Sequence, residues 1–235
     1  MALPKIKSPV FEIVIPSINE PVDFRPFLVK EEKILLMAQT GNDRDVVKAI
    51  KQIINNCCLN DDININALSV VDLEYIFIKL RARSVNNIVT VNYTDTEDSK
   101  DYKFDINLDE VEVTKPKEVS NKIQVTDEVG IIMSYPNASI IDDMGEFEDE
   151  MDVLNFFISK CMTQIYDEND VYVVSEYSEE ELKDFIDSLD VKTFEKIREF
   201  FDASPKLNYT IEYKNSLGND RKITLETLRD FFILG

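Results

Sequence analysis

Alternation of apolar and polar positions marks the beginning of the chain. Residues 10–15 and 22–29 are short runs rich in valine, isoleucine and phenylalanine, and the segment PSINEP between them has proline at both ends. This pattern predicts a β-hairpin that opens the fold. Pro26 lies within the second run. We therefore expect that strand to be at a sheet edge or to bulge, because proline lacks the backbone donor that a ladder needs.

Helical spacing follows the predicted hairpin. Residues 30–39 are mostly good helix formers and stop before Gly41-Asn42. Residues 43–57 place apolar side chains on the i, i+3, i+4, i+7 stripe of an amphipathic helix. Ser69 is a suitable N-cap for a third helix, which we expect to end at Asn86-Asn87. The pattern thus predicts a helical segment between the hairpin and the middle of the chain.

The middle of the chain is rich in β-forming residues. Residues 88–93 and 102–106 flank the polar loop TDTEDSKD and predict a second hairpin. Residues 108–114 alternate valine with glutamate, as a half-exposed strand does. The polar residues 115–121 (KPKEVSN) come next and are the candidate linker between two domains.

The remainder of the chain mixes strands with helices. Its predicted strands are residues 122–125, 128–135, 207–213 and 221–224, of which the last two flank the turn NSLGND as a hairpin. Its predicted helices are residues 150–166, 179–189, 191–202 and 225–233. Ser178 with Glu181 has the pattern of a capping box, and Asp190 is a suitable cap for the next helix. The predicted fold class is α+β, with an N-terminal domain at residues 1–118 and an acidic mixed C-terminal domain at residues 119–235.

Charge changes at about the same place. The chain has 26 basic and 46 acidic residues and a net charge of −20. Residues 1–125 hold 16 basic and 20 acidic side chains, whereas residues 126–235 hold 10 and 26. Segment 142–190 alone holds 17 acids against Lys160 and Lys183. So acidic a chain repels nucleic acid and anionic membranes, and neither is expected as a partner.

The residue types that common catalytic sites need are scarce. The chain has no histidine, three cysteines without CxxC spacing, and five glycines without a phosphate-binding loop motif. Cys57 falls on the helical apolar stripe, so we expect a buried thiol. The acids at 142–150 do not have the spacing of a calcium loop. Those at 167–170 begin like one, but Tyr172 stands where glycine is needed, and we interpret both groups as solvated surface. We therefore expect no enzyme activity, metal or cofactor.

Three runs of the first half carry a family resemblance. They are FRPFLVKEEKILLMAQ (24–39), KAIKQIINNC (48–57) and DLEYIFIKLRARSVNN (72–87), within a resemblance that begins near Leu3 and ends with LDEVEV at 108–113. Together they resemble the baseplate hub protein family of T-even-type contractile-tailed bacteriophages. The resemblance implies a non-enzymatic role in phage tail assembly, either as an assembly chaperone of the baseplate hub or as a subunit of it.

The same resemblance implies the partners and the location. We expect binding to phage baseplate hub or tail-tube proteins, and the sequence leaves homo-oligomerisation open. No apolar run approaches the roughly 18 to 20 residues that span a bilayer. The start of the chain lacks the pattern of a secretory signal. We therefore expect the protein in the host cytoplasm during assembly, with a place in the virion baseplate left open.

Candidate contact residues follow from charge and aromatic pattern. Arg25 of the Arg25-Pro26-Phe27 motif is interpreted as fold-organising, through a pair with Glu31 or Glu32, more than as a partner contact. The pairs Phe156-Phe157, Phe200-Phe201 and Phe231-Phe232 should each place one ring in a core, because adjacent helical residues are about 100° apart. The candidate partner-binding residues are Arg25, Lys79, Arg81, Arg83, Glu146, Glu148, Asp149 and Glu150.

Two other functions remain open at this stage. An acidic DNA mimic could occupy a host nucleic-acid-binding protein, because a net charge of −20 is compatible with it. A metal-dependent hydrolase would need basic groups to hold a phosphate, and the acidic half is nearly bare of them. The family-like first half favours the tail-assembly interpretation over both.

Overall fold

The computed structural model describes residues 7–38, 43–115, 118–145, 147 and 150–232. Within these ranges the chain forms eight α-helices and eleven β-strands in four small antiparallel sheets, which confirms the predicted α+β class. No helix in the described ranges is long and apolar enough to cross a membrane. The chain divides into two compact units: unit 1 is Met1–Thr114 with Lys206–Gly235, and unit 2 is Lys115–Pro205.

The two units differ from the domains predicted from the sequence, with their boundary at residue 118, in where the C-terminal segment belongs. The chain leaves unit 1 after Thr114, and from Lys206 onward it returns to unit 1. Strand pairing explains the return, since β5 (Glu112–Val113) pairs antiparallel with β10 (Leu207–Lys214). Unit 1 is thus discontinuous in sequence, and unit 2 is a single stretch of chain between its two parts.

Unit 1 begins with the predicted hairpin, formed by β1 (Phe11–Ile15) and β2 (Glu20–Phe24). Asn19 in the turn has a φ of 53°, a left-handed conformation that asparagine tolerates well. As predicted, the second strand is an edge strand, because its sheet has only two strands. The strand predicted over 22–29 is too long, however: β2 ends at Phe24, so Pro26 lies outside it. The alternation buries one face of the hairpin, consisting of Ile13, Ile15, Val22 and Phe24.

Three helices follow, as predicted: α1 (Val29–Ala38), α2 (Asp43–Cys57) and α3 (Val70–Ser84). Ser69 caps α3 in a full capping box with Asp72. The buried Asp72 carboxylate also accepts the Ser17 N–H at 3.1 Å, so the turn of the first hairpin is tied to the start of α3. Gly41-Asn42, the predicted stop of the first helix, lies outside the described residues.

The rest of unit 1 is built from hairpins and one short helix. The second predicted hairpin is confirmed as β3 (Ile88–Thr94) with β4 (Asp101–Asn107), and the last as β10 with β11 (Asp220–Leu225). The strand predicted over 108–114 shrinks to β5, because Leu108–Glu110 forms a 3-10 turn. The final helix, α8 (Leu228–Phe232), starts later than predicted because Leu225 still pairs with Tyr209. The core between these elements contains Ile78, Val91, Ile106, Leu108, Leu207, Leu225 and Phe231.

Unit 2 is a four-stranded sheet packed with helices. The strands lie in sequence order as β6 (Lys122–Gln124), β7 (Gly130–Met133), β8 (Met162–Tyr166) and β9 (Val171–Val173). The helices are α4 (Ile140–Asp143), α5 (Glu150–Cys161), α6 (Glu179–Asp187) and α7 (Val191–Asp202). Their shared core contains Ile123, Ile131, Met133, Ile158, Leu182, Ile186, Ile197 and Phe200.

One helix of unit 2 is much shorter than predicted. The apolar positions of 150–166 fit a helical stripe, but α5 ends at Cys161 and the next five residues form β8. In that strand Ile165 pairs with Ile131 of β7 and with Tyr172 of β9. Pairing on both sides favours the extended form of Met162–Tyr166, and the local pattern cannot show it.

Local end signals in unit 2 are confirmed. Ser178 and Glu181 form a capping box at α6, and Asp190 caps α7 by accepting the Thr193 N–H. In the aromatic pair of α7, Phe200 is buried and Phe201 is half-buried, as expected; Phe156 and Phe157 of α5 are both half-buried.

Candidate partner-binding site

Arg25 lies where β2, α1 and α2 meet. Its Nη2 donates to Glu31 Oε1 at 2.9 Å and to the Asn56 carbonyl at 2.8 Å, and its Nη1 donates to Glu31 Oε2 at 3.3 Å. Glu31 is fully buried, and its Oε2 also accepts the Leu28 N–H at the start of α1. Of the two acids considered for Arg25, the structure selects Glu31.

Both members of this pair are held in the charged form. Burial opposes the charge of Glu31, but the hydrogen bonds from Arg25 and Leu28 outweigh it, and the pKa of the carboxyl falls below its usual range. The hydrogen bond to Glu31 raises the pKa of Arg25. Because these donors are engaged inside unit 1, the geometry gives Arg25 a fold-organising role. A partner contact through Arg25 stays a prediction.

Phe27 completes the same motif. Its ring is buried and stacks on Phe77 of α3, with 6.2 Å between ring centroids and 9° between planes. Its N–H donates to Ser84 Oγ at 2.9 Å, at the end of α3. The Arg25-Pro26-Phe27 segment therefore connects the first hairpin to all three helices. Cys57 beside it is buried as predicted, and burial raises the pKa of its thiol to about 11.

The three basic residues of α3, Lys79, Arg81 and Arg83, each have different surroundings. Lys79 Nζ donates to the carbonyls of Leu108, Asp109 and Val111 at 3.1, 2.7 and 2.9 Å, and burial lowers its pKa. Arg83 is more than half exposed and lies 3.8 Å from an Asp109 oxygen. Arg81 is half-buried, and its Nη1 has no hydrogen-bond partner among the described residues. Lys79 thus holds the 108–111 turn, whereas Arg83 presents charge to solvent.

A second polar network in unit 1 joins two hairpin turns that are far apart in sequence. Asp95, at the end of β3, is fully buried and accepts from the Tyr213 hydroxyl and from Arg221 Nε. Glu97 accepts from Asn215 at 2.6 Å, and Asp98 accepts from the Ser216 N–H at 2.9 Å. We call this network the turn clasp.

The turn clasp sets the charge state of its members. Burial opposes the charge of Asp95, but the bonds from Tyr213, Glu97 and Arg221 lower its pKa overall. Burial and the bond to Asp95 raise the pKa of Tyr213 to about 12. Asp95 is therefore an anion and Tyr213 a neutral donor at neutral pH. The turn clasp is structural, since its charges face each other within unit 1.

The four acidic candidate residues all come from the start of α5 and the chain before it. Glu146, Glu148 and Asp149 lie outside the described residues, and Glu150 opens α5. Nearby, Lys160 at the other end of α5 lies 3.0 Å from Asp143 and 3.6 Å from Glu179. Partner binding through the four acids stays a prediction.

A cleft of about 400 Å³ opens in unit 2 between β8, β9 and α6. Its aromatic walls are Tyr172 of β9 and Tyr177 just before α6. Tyr166 of β8 borders the cleft, but side chains alternate along a strand, so its ring lies on the face of the sheet opposite Ile165 and Tyr172. The rings of Tyr172 and Tyr177 meet edge to face at 6.3 Å. The other lining side chains are Val129, Ile165, Asp167, Glu181, Leu182 and Phe185.

Both acids of the cleft are held by local backbone. Asp167 closes the β8–β9 turn, with Oδ1 accepting the N–H groups of Asn169 and Asp170 at 2.8 Å and Oδ2 accepting the Tyr172 hydroxyl. Glu181 Oε2 accepts the Ser178 N–H at 2.9 Å in the capping box. These hydrogen bonds lower the pKa of Asp167 and of Glu181. The cleft therefore carries two negative charges at neutral pH.

Gly130 makes room for the Tyr166 ring on the face of the sheet opposite the cleft. It pairs with Tyr166 across β7 and β8, and a Cβ at this position would be 2.0 Å from the Tyr166 hydroxyl oxygen. Lys122 Nζ lies 4.4 Å from the centroid of the same ring, and the Tyr166 hydroxyl donates to Gln124 at 3.1 Å. A residue other than glycine would displace the end of the Tyr166 side chain, so the ring keeps this position only beside a glycine.

Sequence patterns identified some of this chemistry and missed the rest. The family resemblance points to the Arg25 motif, and composition points to the acidic segment 142–190, which contains most of the cleft. The turn clasp was missed because its halves are 118 residues apart in sequence for three of its bonds. The local pattern predicts neither β8 nor β9, so it does not bring the tyrosines of the cleft together. Within the described ranges, no group of three acids or cysteines is placed to hold a metal ion.

Comparison with known proteins covers nearly the whole chain. A family model described as T4 bacteriophage base plate protein matches residues 8–233. The match includes both units, and it confirms the resemblance seen in the first half of the sequence. No curated protein and no solved structure matches the chain.

Proposed function

Because the chain belongs to the T4 bacteriophage base plate protein family, we propose that it acts in assembly of the baseplate hub by binding other phage proteins. A base plate protein interacts with other structural proteins of its phage. The finer proposal is that this chain engages hub or tail-tube subunits, either as an assembly chaperone or as a hub subunit.

The separation of charge between the units is the observation that supports this proposal most. Unit 2 has 8 basic and 23 acidic residues, a net charge of −15, whereas unit 1 has 18 and 23, a net of −5. A charge of one sign on one unit steers a complementary partner to it and suppresses wrong partners. We infer that unit 2 provides the docking surface, within residues 142–190.

We also propose that the protein is not an enzyme. The sequence has no histidine. Burial raises the pKa of Cys57 to about 11 and that of Cys161 to about 12, so both thiols stay protonated at neutral pH. A protonated buried thiol is neither a nucleophile nor a metal ligand. Hydrolysis of nucleic acid, peptide or peptidoglycan by the pure protein, lost on mutation of one acid, would contradict this part.

Association kinetics with purified hub proteins test the docking surface. The acidic surface acts over about 8 Å at physiological ionic strength, so we expect association to slow several-fold from low to high salt while dissociation changes less. Replacing Glu146, Glu148, Asp149 and Glu150 by their amides should flatten that salt dependence.

A matched variant in unit 1 controls for net charge alone. Glu12, Glu20, Asp61 and Asp62 are exposed, and replacing them by amides removes the same number of charges from the other unit. We expect this variant to keep the salt dependence of the natural chain. Equal effects of the two variants would reject unit 2 as the docking surface. Capture of a host nucleic-acid-binding protein in place of phage proteins would favour the DNA-mimic alternative.

A further inference from the structure

We propose that the cleft between β8, β9 and α6 receives an arginine side chain presented by a partner protein. The proposal rests on the proposed function and names the chemistry of the partner at one position. The cleft lies wholly inside unit 2, the unit with the large negative charge.

The walls suit a flat cation. Tyr172, Tyr177 and Phe185 present aromatic surface, and Tyr177 is 38% exposed even though its ring contacts Tyr172. Aromatic faces attract cations, and a guanidinium also stacks on them through its plane. The contact of Lys122 with the Tyr166 ring is an example of the same attraction within unit 2.

The charges at the cleft select against other ligands. Asp167 and Glu181 line it, and none of the described lining residues is basic. An anion would be repelled, and an apolar side chain would remove water from two carboxylates without replacing their hydrogen bonds. A carboxylate has room for about four hydrogen bonds, and Glu181 Oε1 accepts none within the described part of the chain. Arginine can donate to such oxygens while its plane lies on a tyrosine.

Arginine also fits the volume better than a small cation does. A cleft of about 400 Å³ accommodates a whole side chain with its apolar stem. The apolar floor includes the buried Leu182 and the half-buried Ile165, which the methylene groups of arginine would cover. A lysine head group is more strongly hydrated and has no plane to stack, so we expect it to bind more weakly.

Capped tripeptides provide the direct test on the full chain. We would titrate acetyl-Gly-Arg-Gly-amide, its lysine counterpart and its citrulline counterpart, and follow the resonances of the protein by NMR. Citrulline keeps the shape and planarity of arginine without the charge. We expect weak, saturable binding of the arginine peptide, with shifts centred on Tyr172, Tyr177 and Phe185. The citrulline peptide should bind about ten-fold more weakly.

Two conservative variants locate the site without disturbing the fold. Glu181→Gln removes one charge while keeping the capping-box acceptor of α6, and Tyr177→Leu removes an exposed ring. Each should weaken binding of the arginine peptide about five-fold. Glu199→Gln removes an exposed charge elsewhere in unit 2 and should change binding less than about two-fold.

The outcomes separate this inference from the proposed function. Equal binding of the arginine and citrulline peptides, or shifts centred outside the cleft, would overturn the inference. If salt-dependent association with hub proteins persisted in that case, the proposed function would stand alone. Arginine binding at the cleft, together with no association with any hub protein, would support the inference and contradict the hub partner.

Discussion

The two units contain the same number of acidic residues and use them differently. Each has 23, but unit 1 balances them with 18 basic residues and unit 2 with 8. Among the described residues, the fully buried carboxylates are Glu31, Asp72 and Asp95, and all three belong to unit 1. In unit 1, acids act as hydrogen-bond acceptors that join distant segments. In unit 2, the described acids are at least partly exposed and form its surface.

The number of acidic residues in a unit therefore does not indicate whether they stabilise its fold or form its surface. A buried acid with two or more donors specifies geometry, because removing a partner leaves a charge without compensation. An exposed acid contributes little to stability but changes the electrostatic field that a partner meets. Mutations in unit 1 should therefore affect folding first, and mutations on the surface of unit 2 should affect binding first.

The largest expected effect is on the core of unit 1. Phe27→Ala should lower the free energy of unfolding by about 3 to 5 kcal/mol, since it removes a buried ring stacked on Phe77. Urea denaturation measures it. Val29→Ala is the control, because Val29 is exposed and its loss should cost less than about 0.5 kcal/mol. Equal stabilities of the two variants would mean that Phe27 is available for partner contacts.

Breaking a buried ion pair should have the next largest effect. Arg25→Ala should cost about 3 kcal/mol, because it leaves the buried Glu31 charge without its main donor. Lys214→Ala breaks the exposed pair with Asp220 in the same unit and should cost less than about 1 kcal/mol. Urea denaturation measures the free energy of unfolding of both variants. Similar losses would contradict the distinction between structural charges and surface charges.

Glu74 offers a pH-dependent test, because it is an acid of unit 1 whose surroundings disfavour its charged form. Burial raises its pKa to about 7; the hydrogen bond from the Leu228 N–H opposes this shift, and repulsion from the nearby Asp230 adds to it. For an acid, a raised folded-state pKa means that stability is lost as pH rises from the unfolded value of about 4 toward 7. Glu74→Gln should therefore gain about 2 kcal/mol over the natural chain between pH 5 and pH 8. A gain independent of pH would contradict the shifted pKa.

The smallest effects compare two capping boxes, one in each unit. Ser69→Ala should cost about 1 to 2 kcal/mol, because the Ser69 hydroxyl bonds the buried Asp72, which also holds the first hairpin. Ser178→Ala should cost about 0.5 to 1 kcal/mol, because its partner Glu181 is exposed. Hydrogen exchange in the first turn of α3 and of α6 reports both. A larger cost at Ser178 would mean that unit 2 depends on its polar surface for stability.

The sequence predicted elements whose signals are local. Helix α2 has its predicted limits, and the caps Ser69, Ser178 and Asp190 are all where the pattern placed them. These signals succeed because a cap or an apolar stripe involves residues a few positions apart. The predicted hairpins succeed for the same reason.

Features that depend on distant residues could not be predicted. The conversion of Met162–Tyr166 from expected helix to strand depends on β7 and β9 on either side. The bond from Tyr213 to Asp95 and the return of Lys206–Gly235 to unit 1 depend on pairing across more than 90 residues. The candidate cleft depends on β8 and β9, which the local pattern does not predict. Composition shows its acids but not the arrangement of its tyrosines.

The pairing of Thr114 with Lys206 also bears on the order in which the two units fold. The Thr114 N–H donates to the Lys206 carbonyl at 2.8 Å, and the Lys206 N–H donates to Thr114 Oγ1 at 3.0 Å. Thr114 and Lys206 are 92 positions apart in sequence. Closing a flexible loop of this length costs about 4 kcal/mol of chain entropy. If unit 2 folds first, much of that cost is met before β10 reaches β5. On a ribosome, unit 2 emerges complete while unit 1 still lacks its last hairpin, so synthesis itself favours this order.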